Sequence, residues 1–146
     1  MMEADVETGM NEQGRDARKL INPPGTEAIY KSMKFSQAIR VGNCIWVSGQ
    51  VGMNEKWETG EGIESQTRIA FQNLERVLFH AGASLADIVE LTTFHTSMTD
   101  IDSFSKVKSE FISSDYPAWT AIGVKELVLP QLLVEIRATA IVGSNC

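Results

Sequence analysis

Long basic runs are missing from this sequence: its 13 Lys and Arg are outnumbered by 19 Asp and Glu, leaving a formal net charge of -6. A surface that grips a phosphate backbone needs concentrated positive charge, so nucleic acid is a poor first candidate for a partner. Cysteine and histidine are scarce, with two of each, and Cys44 and Cys146 form no C-x-x-C pair. That scarcity argues against a structural zinc site. It leaves a buried thiol at Cys44 and a free tail thiol at Cys146, as in a reducing compartment. Long apolar runs are also absent: nothing approaches the roughly 18–20 residues that span a bilayer. The stretch from Met1 to Arg18 is polar and acidic, without the apolar centre of a secretory signal. The expectation is a cytoplasmic protein with no membrane partner. No internal repeat or low-complexity tract is present.

What is there suits one domain: 146 residues, 43% hydrophobic and 22% charged. Residues 1–20 are expected to be a flexible N-terminal tail, 21–142 the folded domain, and 143–146 a C-terminal tail. Asn22-Pro23-Pro24-Gly25 is a turn cluster that introduces the fold. Two β-rich runs, Gln37 to Val41 and Cys44 to Ser48, flank Gly42-Asn43, a hairpin signal because both residues tolerate positive φ. Ala70, Leu74, Val77, Leu78 and Ala81 share one face of a helix over Glu64–Ala81, and Gly82 stands where a left-handed terminator belongs. Asp87–Ser97 reads as a strand with Val89 and Leu91 on one face and Ile88, Thr92 and Phe94 on the other. A second helix over Asp102–Ser113 carries Phe104, Val107 and Phe111, with Asp100 or Asp102 as N-cap, and Tyr116-Pro117 stops it. Strands around Trp119–Lys125 and Leu132–Val142 complete an α+β order. Two helices then cover one face of a mixed sheet. The other face, with Trp46, Phe94 and Ile88, is a candidate subunit interface.

Several pieces together resemble the YjgF/Rid family, also called the L-PSP or reactive-intermediate-deaminase family. They are Phe35-Ser36-Gln37-Ala38, Val41-Gly42-Asn43, Val47-Ser48-Gly49-Gln50 and Gln66-Thr67-Arg68 with Asn73-Leu74. The run from Ala81 to Val89, Phe104, Tyr116-Pro117-Ala118 and Val134-Glu135-Ile136 continue it in order. The resemblance covers Asn22 to Val142. It implies a chorismate-mutase-like α+β fold and a homotrimer with a central barrel and three clefts between subunits. It also implies hydrolysis of enamines or imines to a keto acid and ammonia, with no cofactor and no metal.

Such hydrolysis needs a carboxylate anchor, a positioned water and a proton shuttle. In the family an arginine directly after Pro-Ala supplies the anchor; here that position is Trp119. A neutral indole with one N–H cannot replace a guanidinium fork. Glu135 matches the family glutamate that positions the water; its plain alternative is an interface carboxylate satisfied by backbone donors. Arg137, two residues on, shares a strand face with Glu135, either as a displaced cation for an anionic ligand or as a structural ion pair. Phe35 takes the place of an aromatic cleft residue, and Ser48 and Gly49 stand where relatives offer backbone groups to the ligand. Gly49 also suits mere close packing. His95 is expected to face the helices with a local partner rather than act as a base, and His80 to lie at the surface near a helix end.

The reading is therefore a trimer that binds a small metabolite in its clefts, with conventional deaminase activity put in doubt by Trp119. Two other readings stay open: an L-PSP-type endoribonuclease or translation inhibitor, and a non-catalytic ligand- or partner-binding protein.

Overall fold

The structure, a computed structural model, describes residues 17–145. Its strands are β1 (Lys19–Ile21), β2 (Ala38–Val41), β3 (Cys44–Val51), β4 (Ile88–His95), β5 (Ala118–Gly123) and β6 (Val134–Ile141). The helices are α1 (Glu27–Met33), α2 (Gly62–His80) and α3 (Ile101–Phe111). One mixed sheet runs β1-β2-β3-β6-β4-β5. All its pairs are antiparallel except β4 with β5, which are parallel because α3 carries the chain back between them.

The β2–β3 hairpin closes at Gly42-Asn43, with Val41 opposite Cys44 and Gly42 at φ 59°. Both main helices lie on one face. From α2, Ala70, Phe71, Leu74, Val77 and Leu78 are buried against Ile45, Val47, Leu91, Ile136 and Ala138 of the sheet. Gly82 ends that segment at φ 90°, a conformation that needs no side-chain clash to be relieved. Phe104 and Val107 bury α3, and Phe71 stacks on Phe111 with ring centroids 5.1 Å apart. Helix α3 begins at Ile101 after Asp100, whose side chain makes no capping hydrogen bond.

Three features differ from the sequence expectation. A third helix, α1, follows the turn cluster; none of its residues is buried, so it has no apolar stripe to announce it. Ile88 is only 5% exposed and belongs to the core, not to the open face. The reason is a one-residue bulge at Val89: Ile88 pairs with Ala140 but Glu90 pairs with Thr139, so the faces swap between them. Cys44 is a half-buried free thiol rather than a buried one, while Cys146 lies outside the described residues, as do residues 1–16 of the expected tail.

The C-terminal turn is tied to Asp87. The amide of Gly143 and the side-chain amide of Asn145 both donate to Asp87 Oδ1, at 3.2 and 2.9 Å. Ser84 donates its amide to the other oxygen at 3.0 Å. No helix among the described residues is long and apolar enough to cross a membrane.

Candidate functional site

The residues singled out in the sequence gather in two places, on opposite faces of the sheet. The first surrounds a second bulge. Val47 pairs with Ala138 but Gln50 pairs with Ile136, so β3 carries one extra residue at Ser48-Gly49. Ser48 is pinned there: its amide donates to Gln37 O at 2.9 Å and its hydroxyl to Ser36 O at 2.7 Å. The side-chain amide of Gln50 donates to Gln37 Oε1 and Ser48 O, at 3.0 and 3.1 Å. A Cβ at Gly49 would overlap the Glu135 side chain, so the glycine leaves the room in which that carboxylate sits.

Glu135 reaches Gly49 from β6, where Val134, Ile136, Ala138 and Ala140 turn to the core and Glu135 and Arg137 turn the other way. Its carboxylate meets no hydrogen-bond donor or cation among the described residues of the single chain. Burial raises its pKa above the ordinary carboxylate range. Phe35 and Gly49 both line a cavity of about 160 Å³ together with Trp57 and, from α2, Asn73 and Arg76; Glu135 is not among its lining residues. Phe35 is aimed by Lys34, which ends α1 in the left-handed region at φ 63°. Arg137 is exposed and makes no ion pair among the described residues.

The second place is the covered face near the β5 edge. Trp119 pairs in register with Leu91, so its indole points toward the helices, where it packs on Phe104 with centroids 5.7 Å apart. The indole N–H donates to Thr93 Oγ1 at 2.9 Å, and that hydroxyl lies 2.7 Å from His95 Nε2. Thr93 and His95 are fully buried, and the His95 ring meets Phe104 edge-on. His95 is thus a core residue with a local partner. Burial lowers its pKa, an effect that Asp100 partly opposes. His80 is exposed at the end of α2, as expected.

Sequence reasoning missed Lys108. It stands one turn after Phe104 on α3, is 8% exposed, and holds Nζ 4.8 Å from the Trp119 ring centroid and 5.6 Å from that of Tyr116. The signal was available: positions 104, 108 and 111 share a helical face. Burial lowers the pKa of this amine. Among the described residues no three His, Cys, Asp or Glu side chains converge in a way that could hold a metal ion.

A mixed six-stranded sheet with its two main helices on one face, a bulged strand beside a carboxylate and an open second face define a class of small α+β domains. The family model described as Endoribonuclease L-PSP matches residues 25–142, and the chain belongs to that family, also known as YjgF/Rid. The RutC family protein YjgH of Escherichia coli is 38% identical over 109 residues, covering 73% of this chain and 83% of the relative. A 2-iminobutanoate/2-iminopropanoate deaminase of Dermatophagoides farinae is 36% identical over 96 residues, covering 64% and 74%. A solved structure of protein YjgH superposes with a TM-score of 0.77 at 35% identity, covering 86% of this chain and 96% of that one.

Proposed function

We propose that this chain assembles as a homotrimer, binds a small metabolite in clefts between subunits, and hydrolyses an enamine- or imine-like substrate there. The observation that carries the reading is the Glu135 carboxylate: half-buried, seated on Gly49, raised in pKa and without a partner among the described residues. Such a group can orient water and exchange protons with it. Water adds to the imine carbon as Glu135 takes one of the water's protons and passes it to nitrogen, giving a carbinolamine. A second proton then moves from the carbinol hydroxyl through Glu135 to nitrogen, the C–N bond breaks as the C=O bond forms, and ammonia leaves a keto product behind. Phe35 supplies a stacking wall, and the bulged Ser48-Gly49 backbone approaches the ligand.

Two observations support assembly. Trp46 is 48% exposed on the helix-free face, with Leu20, Ile122 and Ile141 also exposed and Phe94 half-buried beside them. The Glu135 and Trp119 clusters turn to opposite faces of one chain, so a cleft that uses both needs a second copy. The reading includes a reducing, cytoplasmic compartment, in keeping with the free Cys44 thiol.

The test is ammonia release from imines generated from serine or threonine. The wild type is expected to accelerate it and Glu135→Gln to abolish the acceleration; no acceleration by the wild type would sink the proposal. The family description favours a second reading, cleavage of single-stranded RNA, against which the net charge of -6 weighs. Cutting by purified protein that disappears in Glu135→Ala would put that reading first.

A further inference from the structure

Trp119 stands where the family resemblance implies a carboxylate-gripping guanidinium, yet a cation is packed on that same indole. Lys108 reaches it from α3, with Nζ over the faces of Trp119 and Tyr116. A cation over two aromatic faces is held electrostatically by the rings. Its surroundings are otherwise unusual for a lysine. The residue is 8% exposed, but no carboxylate or hydrogen-bond acceptor meets Nζ among the described residues. Buried charges are ordinarily paired, because desolvation of a lone charge is costly. The neighbouring lysine on the helix, Lys106, does have an acidic partner, lying 3.8 Å from Glu64.

The amine is not sealed either. Among the described residues, the buried side-chain atoms shut off from solvent without a partner are Thr67 Oγ1 and His95 Nδ1, and Lys108 Nζ is not one of them. Tyr116 stands exposed beside it. The stem is therefore buried while the tip keeps some contact with solvent. Arg137 cannot serve here within one chain, since it turns to the opposite face of the sheet from Trp119.

We propose that Lys108 is the anion anchor of the cleft, gripping the carboxylate of a small 2-keto or 2-imino acid whose apolar part lies along the Trp119 indole. This rests on the hydrolase reading and names the charge on which its substrate docks. An ammonium is a point charge rather than a fork, so the anchor selects a negative end without fixing its plane. Substrates with compact or aromatic side chains then gain from the indole wall.

The test compares binding of 2-oxobutanoate and of uncharged 2-butanone by titration calorimetry, alongside imine hydrolysis, in the wild type, Lys108→Met, Lys108→Arg and Lys106→Met. Circular dichroism and sedimentation check that each variant keeps its fold and assembly. The wild type should prefer the keto acid. Lys108→Met should weaken it by about tenfold to a hundredfold, the span of a hydrogen bond to a charged group. Lys108→Arg should retain binding even if Lys108→Met folds poorly, and Lys106→Met, which removes an exposed lysine of the same helix, should bind as the wild type does. Unchanged keto-acid binding in a folded Lys108→Met, with hydrolysis intact, overturns the anchor and leaves the hydrolase standing. Binding that depends on Lys108 in a protein that hydrolyses no imine overturns the hydrolase and keeps the anion site. A wild type that neither binds the keto acid nor hydrolyses imines overturns both.

Discussion

Glu135 and Trp119 are the two most telling side chains, and they are restrained in opposite ways. Among the described residues Glu135 is held by shape alone: a glycine beneath it, a strand register that turns it away from the core, and no donor on its oxygens. Trp119 is held by chemistry: a hydrogen bond to Thr93, a ring contact with Phe104 and an ammonium on its face. The difference teaches which group is built to change state. A carboxylate without fixed partners can gain and lose a proton with little rearrangement, whereas an indole tied at three points is a wall.

The comparison can be broken first at the open face that carries Glu135. Trp46→Glu puts a charge where the subunits are proposed to meet, and an unpaired buried charge costs about 3–5 kcal/mol. Sedimentation velocity should show monomers; a variant that assembles like the wild type removes that face as the interface. On the covered face, Trp119→Ala deletes a partly buried indole and leaves Thr93 short of a donor. Chemical denaturation should show a loss of about 3 kcal/mol, the low end for a buried tryptophan. Gly49→Val then tests whether shape alone holds Glu135. The added side chain must displace the carboxylate, and a misplaced catalytic group loses about a hundredfold in turnover. Turnover near the wild-type rate would show that Glu135 does not work from that seat.

The smallest effects are in pH. Glu135 titrates above its unfolded value, so the folded state binds its proton more tightly and the associated stability is lost as pH rises through the folded pKa. Glu135→Gln should therefore raise the unfolding midpoint at pH 7 and leave it unchanged below pH ~4, near the unfolded pKa. His95 shifts the other way. Its folded pKa lies below the unfolded one, so its neutral state is stable above about pH 6.5 and stability falls as pH drops below that. His95→Gln should flatten the fall seen by thermal melts between neutral and acid pH.

Much of the frame was legible in the sequence because local signals and burial agree there. Gly42-Asn43 closes the hairpin, and positions 70, 74, 77, 78 and 81 of the second helix do meet the sheet. Helix α1 and strand β1 were not legible. One buries nothing and the other is three edge residues long, so neither leaves a periodic trace. The bulge at Val89 is invisible in a strand pattern because only the partner strand reveals the extra residue, and that is why Ile88 was assigned to the wrong side. In the site, Glu135 and Gly49 could be named, but their contact could not, since it depends on the register of β3 against β6. Lys108 was passed over because a lysine on a helix ordinarily reaches water.

The clasp between Asp87 and the last turn has a practical side. Gly143 and Asn145 supply the donors to one oxygen of a buried aspartate that sits just before the Val89 bulge, so trimming the chain at Val142 would strip that oxygen at the start of β4. Affinity tags and fluorescent fusions are therefore better placed ahead of Lys19 than behind Asn145, where their pull would act on the strand that carries Thr93 and His95.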